Sequence, residues 1–447
     1  PGLQDAIEGH LRRVEERIGQ WADVVSGGLI DTAQAGADAG ESFAREDVDL
    51  LLCYMGTYAT STIVLPVVQR AAVPVILLNL QPVAALDYAD VDTATWLANA
   101  GVCAVPEFAG VFLRSAIEFD VVTGTLDDDP IAWEEVRSWC VAAGVARTIR
   151  RARFGMLGHT YPGMLDMSTD VAALQAQLGA HIEILEIDDL KDLVERATSE
   201  EVAAIVARTG DLFVLEGDIS QEAITWGATV AAGLQDLAAD FDLDGLAYYY
   251  RGTGGDRLEQ IAANMILGNT LLTAEGIPAA GEGDLKTAIA MKILDELGAG
   301  GSFTEFAAMD FQDDFFLMGH DGPAHPGIGD GKPTLKELAV FHGKSGGGLA
   351  VEIRARTGPV TVLGVTQTTE GRLKLIAAEG ESLPGDALRL GNSNHRIRFG
   401  QDVRAFMRAW CALGPTHHVA LGLGHRIADL QRVATLLDIP FERVGPE

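Results

Sequence analysis

The chain has 447 residues, 48% of them apolar, so it can bury two or three large cores and reads as globular rather than disordered. Its 64 acidic residues against 33 basic ones leave a net charge of −31. Such a surface repels nucleic acid and anionic membranes, admits neutral small molecules such as sugars and favours cations. No run of about 20 apolar residues occurs and no basic-then-apolar leader opens the chain, which therefore reads as cytoplasmic. Four widely spaced cysteines in apolar contexts, without a CxxC, read as buried free thiols.

In chain order, an amphipathic helix over Leu3–Trp21 comes first. Buried strands over Val48–Tyr54 and Val73–Leu80 flank a helix over Ser61–Arg70, and shorter strand candidates lie at Val102–Val105 and Phe119–Thr123. Strands alternating with helices predict a parallel sheet in a doubly wound domain. Such a domain normally begins with a strand, so a first strand is expected to be missing ahead of Leu3. Basic residues at Arg147, Arg150, Arg151 and Arg153 precede a second strand–helix series that begins near Arg153 and includes strands over His181–Ile187 and Leu246–Arg251. The glycine loop at 251–256 lacks a full phosphate-binding pattern and reads as a turn. From Glu337 onward, β-rich runs at Leu338–His342, Leu349–Ala355, Val360–Gln367 and Arg372–Glu379 predict an antiparallel, barrel-like domain. Helices over Asp402–Leu413 and Ile427–Leu437 flank a short strand over Val419–Leu423. The expected fold is thus two doubly wound α/β domains, 1–150 and 151–325, followed by a barrel-containing domain, 326–447.

The densest chemistry lies at 281–326. Glu282 stands between two glycines ahead of a helix over Leu285–Leu297, which Gly298–Gly301 ends. A hairpin follows, Phe303–Phe311 and Phe315–His320, joined by Gln312-Asp313-Asp314. Its pairing brings Glu305, near the start of one arm, towards His320 at the end of the other. Two carboxylates and an imidazole form a divalent-metal set; a buried helix capped by acids beside an ordinary hairpin is the other reading. Glu305 and Asp310 are five apart, so on a regular strand they face opposite sides and only one can reach an ion. Lys286, a helical turn after Glu282, either pairs with it or faces solvent. Gln81 sits at a strand's C-terminal end, where α/β domains bind ligands, or in a plain turn.

These motifs resemble a known family. GEGDLKTA at 281–288, the hairpin ending in Gly319-His320 and GPTHHVALGLGH at 414–425 are similar to L-arabinose isomerases and their L-fucose isomerase relatives, as are Leu51–Pro82 and the GHTYPGMLDM segment within Arg153–Met167. The resemblance implies a metal-dependent aldose–ketose isomerase, with L-arabinose to L-ribulose first and an L-fucose or D-arabinose type as the alternative. A non-catalytic sugar-binding protein is the competing class. Carried over residue by residue, it implies a cation held by Glu282, Glu305, His320 and His418, with Mn²⁺ favoured and Mg²⁺ or Co²⁺ possible, and Glu282 and Glu305 as proton carriers through an enediol. His417, Lys286, Asp310 and Gln81 are the candidate substrate contacts, and His417 could replace His418 if the register differs. A hexamer or tetramer is implied; separately, His159 and Tyr161, in the loop after the second domain's first strand, either line a neighbouring subunit's pocket or are plain loop residues. The loop His320–His325 departs from the arabinose pattern towards fucose-like relatives.

Overall fold

A computed structural model describes residues 2–445 except 252–254, 339–346, 387 and 389–390. The glycine loop's centre and residues 339–342 of an expected strand therefore lie outside the described residues. The chain forms two compact units, Pro1–Arg147 and Thr148–Glu447.

In the first unit β1 (Leu51–Tyr54), β2 (Val75–Gln81) and β3 (Phe119–Thr125) form a parallel sheet in that order. The central strand's Val75-Ile76-Leu77-Leu78 run is buried on both faces, as an unbroken apolar stretch requires. The segment Val102–Val105 is not a strand. Residues Ala100–Cys103 make a 3₁₀ turn that runs into the helix Val105–Arg114, because Pro106 is preorganised for a helix's first turn.

The second unit opens with β4 (Arg153–Gly158), β5 (His181–Leu185), β6 (Val214–Leu215), β7 (Gly245–Tyr249) and β8 (Ala279–Ala280). Four of these make a parallel sheet, β5-β4-β7-β8. The strands β9 (Ser302–Asp310) and β10 (Phe315–His320) follow. After them come β11 (Thr334–Leu338), β12 (Gly348–Glu352), β13 (Gly358–Gln367) and β14 (Leu373–Leu383). The last are β15 (Ser393–Phe399), β16 (His418–Leu423) and β17 (Phe441–Val444). Strands β13-β16-β9-β10-β15-β14 pair antiparallel, and β13 also pairs with β14, which closes a six-stranded barrel; β17 adds parallel to β14. The fold is the expected one, with parallel-sheet α/β layers and a C-terminal antiparallel barrel whose first hairpin comes from residues 302–320. Its apolar cluster includes Phe316, Met318, Val360, Val362, Ile397 and Val419. Phe406 stacks on Phe399 with ring centroids 3.8 Å apart.

The helix Leu285–Glu296 is buried from Leu285 to Leu294 and packs against β13 and β16. Asp284 caps it by accepting from the Thr287 N–H (3.1 Å), and Gly298, at φ 69°, follows its end. Among the described residues no helix is long and apolar enough to cross a membrane. The cysteines are free, but only Cys140 is fully buried; Cys103 and Cys411 are exposed, since both sit on the outer side of helical turns.

Candidate metal and catalytic site

Strand pairing explains how residues far apart in sequence meet. In the barrel β9 lies between β16 and β10, and Glu305 is directly opposite both His418 and Gly319. Residues directly opposite share a face, so Glu305 and His418 point the same way. His320 ends β10 one residue later. Gly319 has to be glycine, because a Cβ there would sit 2.0 Å from the Ser393 carbonyl oxygen of β15.

Glu282 reaches the same place by an unusual backbone. It adopts φ 60°, ψ 12°, a left-handed conformation that costs a non-glycine residue roughly 1 kcal/mol. Gly283 follows at φ 71°, and a Cβ there would meet the His159 carbonyl oxygen at 2.6 Å. The Tyr161 N–H donates to the Glu282 carbonyl oxygen (2.8 Å), fixing the turn from the loop after β4. His159 and Tyr161 thus pack against their own chain's Glu282 segment, and both rings touch Tyr249.

The result is two triads of possible ligands, Glu282–His417–His418 and Glu305–His320–His418, each with ligand atoms within 4.8 Å of one another. His418 belongs to both and is fully buried. Its Nδ1 lies 3.0 Å from Asp284 Oδ2. The carboxylate can only accept, so Nδ1 carries a proton, an arrangement that leaves the Nε2 lone pair to a metal ion. That Nε2 faces Glu282 Oε2 at 3.4 Å, and neither atom has a hydrogen-bond partner. Two buried acceptors aimed at each other leave a place for a cation. His417 repeats the arrangement: its Nδ1 is 2.6 Å from Asp166 Oδ2, and its Nε2 is 4.0 Å from Glu282 Oε2. Phe303 sets its ring against His320 (4.7 Å) and His418 (4.4 Å), holding both imidazoles in place. Asp321 Oδ1 lies 3.2 Å from His320 Nδ1.

Charge follows this geometry. Burial pushes the Glu305 carboxyl above its ordinary range; His418 and His417 oppose the rise, while Glu282 and Asp321 add to it. Burial would also raise Asp166, but its bonds to the His417 side chain and N–H outweigh that and hold it low.

Three candidates stand elsewhere. Lys286 neither pairs with Glu282 nor faces solvent. It is 2% exposed, and its Nζ donates to the Asp166 (2.7 Å) and Ser168 (3.3 Å) carbonyls because its helix is buried all round. Asp310 stands at the hairpin turn and accepts from the Gln312 (2.9 Å) and Asp313 (2.8 Å) N–H groups. A bulge at Ala307 adds one residue between Phe306 and Ala308. Asp310 therefore shares a face with Glu305, contrary to the regular-strand expectation, but the hairpin's length keeps it about 13–16 Å along the strand. Gln81, in the first unit, ends β2 and donates to the Val83 carbonyl (2.5 Å). Sequence reasoning overlooked Asp284 and Asp166, the two carboxylates behind the imidazoles. Asp284 lies inside the GEGD motif, whereas nothing local links Asp166 to a residue 251 positions away.

Residues 332–444 match the family described as L-fucose isomerase, C-terminal domain. Most of the chain is similar to proteins named L-arabinose isomerase. It is 24% identical over 388 residues to that of a Nocardioides species, spanning 83% of this chain and 75% of the relative. Against the Klebsiella pneumoniae protein the identity is 23% over 380 residues, 82% and 75% of the two chains. Against that of Herpetosiphon aurantiacus it is 22% over 419 residues, 90% and 82%.

Proposed function

We propose that this chain, a member of the L-arabinose and L-fucose isomerase family, is a metal-dependent aldose–ketose isomerase that interconverts L-arabinose and L-ribulose. The observation that carries the reading is the facing pair of buried, unpartnered acceptors, Glu282 Oε2 and His418 Nε2, 3.4 Å apart. Glu282, Glu305, His320 and His418 would hold the ion. Two carboxylates with two imidazoles suit Mn²⁺, with Mg²⁺ or Co²⁺ as substitutes. A bound divalent ion would supply Lewis-acid stabilisation of negative charge on the sugar oxygens.

The proton transfers fall to the glutamates. Glu305, whose proton affinity burial raises, suits a group that must both take and give a proton. It removes the proton from C2 of the open-chain aldose as protonated Glu282 delivers one to O1, giving the enediol. The proton on O2 then leaves through Glu282, and Glu305 returns its proton to C1, so the ketose has the atoms of the aldose. Asp284 and Asp166 hold the imidazoles in orientation, and Phe303 shields them from water.

L-fucose or D-arabinose is the second reading, favoured by the match of residues 332–444 and by the loop His320–His325. A homo-oligomer is supported by apolar side chains that the first unit leaves exposed, such as Tyr88 and Leu113 at 90% and 77%. Metal analysis of the purified protein, then L-arabinose, L-fucose and D-arabinose with Mn²⁺ added, tests the activity by ketose formation. A protein that binds the ion yet forms no ketose from any of the three is a binder, not an isomerase. Full turnover in Glu305→Gln would remove that residue from the chemistry.

A further inference from the structure

Beside the ion cradle a narrow cavity is lined by residues including Tyr248, Ile266, Glu282, His320 and Gly322. Ile266 and Met265 reach it from the buried helix Met265–Ala274, and Asn269 lies one turn further along that helix, on the same side. Asn269 is 0% exposed, stands behind Tyr248 rather than in the cavity wall, and its amide nitrogen and oxygen have no polar partner but the Tyr248 phenol. The Tyr248 phenol stands within polar reach of that amide; burial pushes its proton affinity up, and it feels the charges of Asp321 and Glu282. A buried amide that has one phenol contact and no other polar partner is under-satisfied and destabilises a fold, so its presence amid Leu, Ile and Met needs another cause. An amide offers donors and an acceptor together, which is the complement of a hydroxyl.

We propose that Asn269, with Tyr248 beside it, binds a hydroxyl of the open-chain sugar next to the two carbons that Glu282 and Glu305 work on, and so selects its configuration. The assignment rests on the isomerase reading above and narrows it: a site built to bond a hydroxyl discriminates strongly against a chain lacking it.

The test uses pentitols, which cannot isomerise. Full-length wild type, Asn269→Leu and Tyr248→Phe, each supplied with Mn²⁺, are titrated with L-arabinitol, ribitol and xylitol, and each is melted without ligand. Wild type should prefer one pentitol. Asn269→Leu should bind it about tenfold more weakly, with a ligand-free Tm equal to or above wild type, since the under-satisfied amide is gone. Tyr248→Phe, a milder change, should weaken binding several-fold with the fold intact. Unchanged pentitol affinity in both variants overturns the assignment. So does a lowered Tm in Asn269→Leu with Tyr248→Phe unaffected, because the amide is then structural or holds a water alone. The two readings fail differently. Wild type that binds pentitols through Asn269 but converts no aldose sinks the isomerase activity and leaves the hydroxyl site standing. An active enzyme whose Asn269→Leu form keeps its KM sinks the hydroxyl site alone.

Discussion

Replacing Asp284 with Asn separates the ion cradle from the fold. Asp284 is fully buried; Oδ1 accepts from the Thr287 N–H (3.1 Å), while Oδ2 takes the Thr287 hydroxyl (2.8 Å) and faces His418 Nδ1 (3.0 Å). Asn keeps an oxygen for the helix cap, so most of the roughly 1 kcal/mol a cap contributes survives. Its NH₂ replaces Oδ2 and presents donors to His418. The imidazole can match them only by moving its proton from Nδ1 to Nε2, which removes the lone pair that faces Glu282. Exchanging charged for neutral bonds should cost about 1–2 kcal/mol, a shift of a few degrees in Tm for a unit of this size. Loss of a carboxylate behind a ligating histidine typically weakens metal binding 10–100-fold, and the reversed tautomer places the expectation at the upper end. Mn²⁺ titration of chelator-treated protein measures the affinity, circular dichroism checks the fold, and ¹⁵N shifts of the ring report the tautomer. Wild-type Mn²⁺ affinity in a folded Asp284→Asn protein would refute the orientation argument.

Three further outcomes follow from particular contacts. Chelation should lower the melting temperature and Mn²⁺ restore it, by about 2.7 kcal/mol of stabilisation at a hundredfold excess over Kd; a melt indifferent to both contradicts a resident ion. Glu282→Gly should leave the metal-free protein as stable or about 1 kcal/mol more stable in urea, by relieving a left-handed φ of 60°, while abolishing ion binding; a loss above 1 kcal/mol argues against strain. His395 is fully buried with its ring pushed down to about 4, and its Nδ1 accepts from the Ala355 N–H (2.9 Å). Its folded value lies below its unfolded one, so its neutral form favours folding above pH 6.5, and that contribution, about 3 kcal/mol, is lost as pH falls from 6.5 to about 4. His395→Gln should flatten stability across that window, and equal slopes for the two proteins would contradict it.

What could be read in the sequence was local. GEGD announced a carboxylate at a helix entry, alternation announced the hairpin, and His417-His418 stood just before an apolar strand. What could not be read depends on pairings that periodicity does not encode. Alternation along β13 does not say that it closes on β14 and also pairs with β16. A single bulge residue, Ala307, reversed the face of Asp310, and no composition signal marks it. Lys286 could be read as a partner of Glu282 or as a surface residue, because only the tertiary layers on every side of its helix make it a buried strut. Asn269 stands beside Thr270 in the otherwise mostly apolar helix Met265–Ala274, and its amide has no meaning until the neighbouring cavity is seen.

The arrangement would also tie folding to an ion bound as proposed. Asp166, Glu282, Asp284, Glu305 and Asp321 crowd around three imidazoles, and the nearest lysine, Lys286, is committed to two backbone carbonyls with its charge disfavoured by burial. Carboxylates this close raise one another's proton affinity and repel, which Glu305 already registers. His417, just ahead of β16, and His418, the first residue of that strand, lie with ring centroids 3.9 Å apart. Each is drawn in by a carboxylate from a different part of the unit, Asp166 before the strand β5 and Asp284 at the helix cap. Without an ion those tethers hold lone pairs against negative charge and strain Glu282 at no structural gain. With one, the same contacts become a preorganised cradle. The stability given up at Glu282 and His418 is therefore evidence about binding, because a fold selected for stability alone would have placed glycine at the first position and an apolar residue at the second.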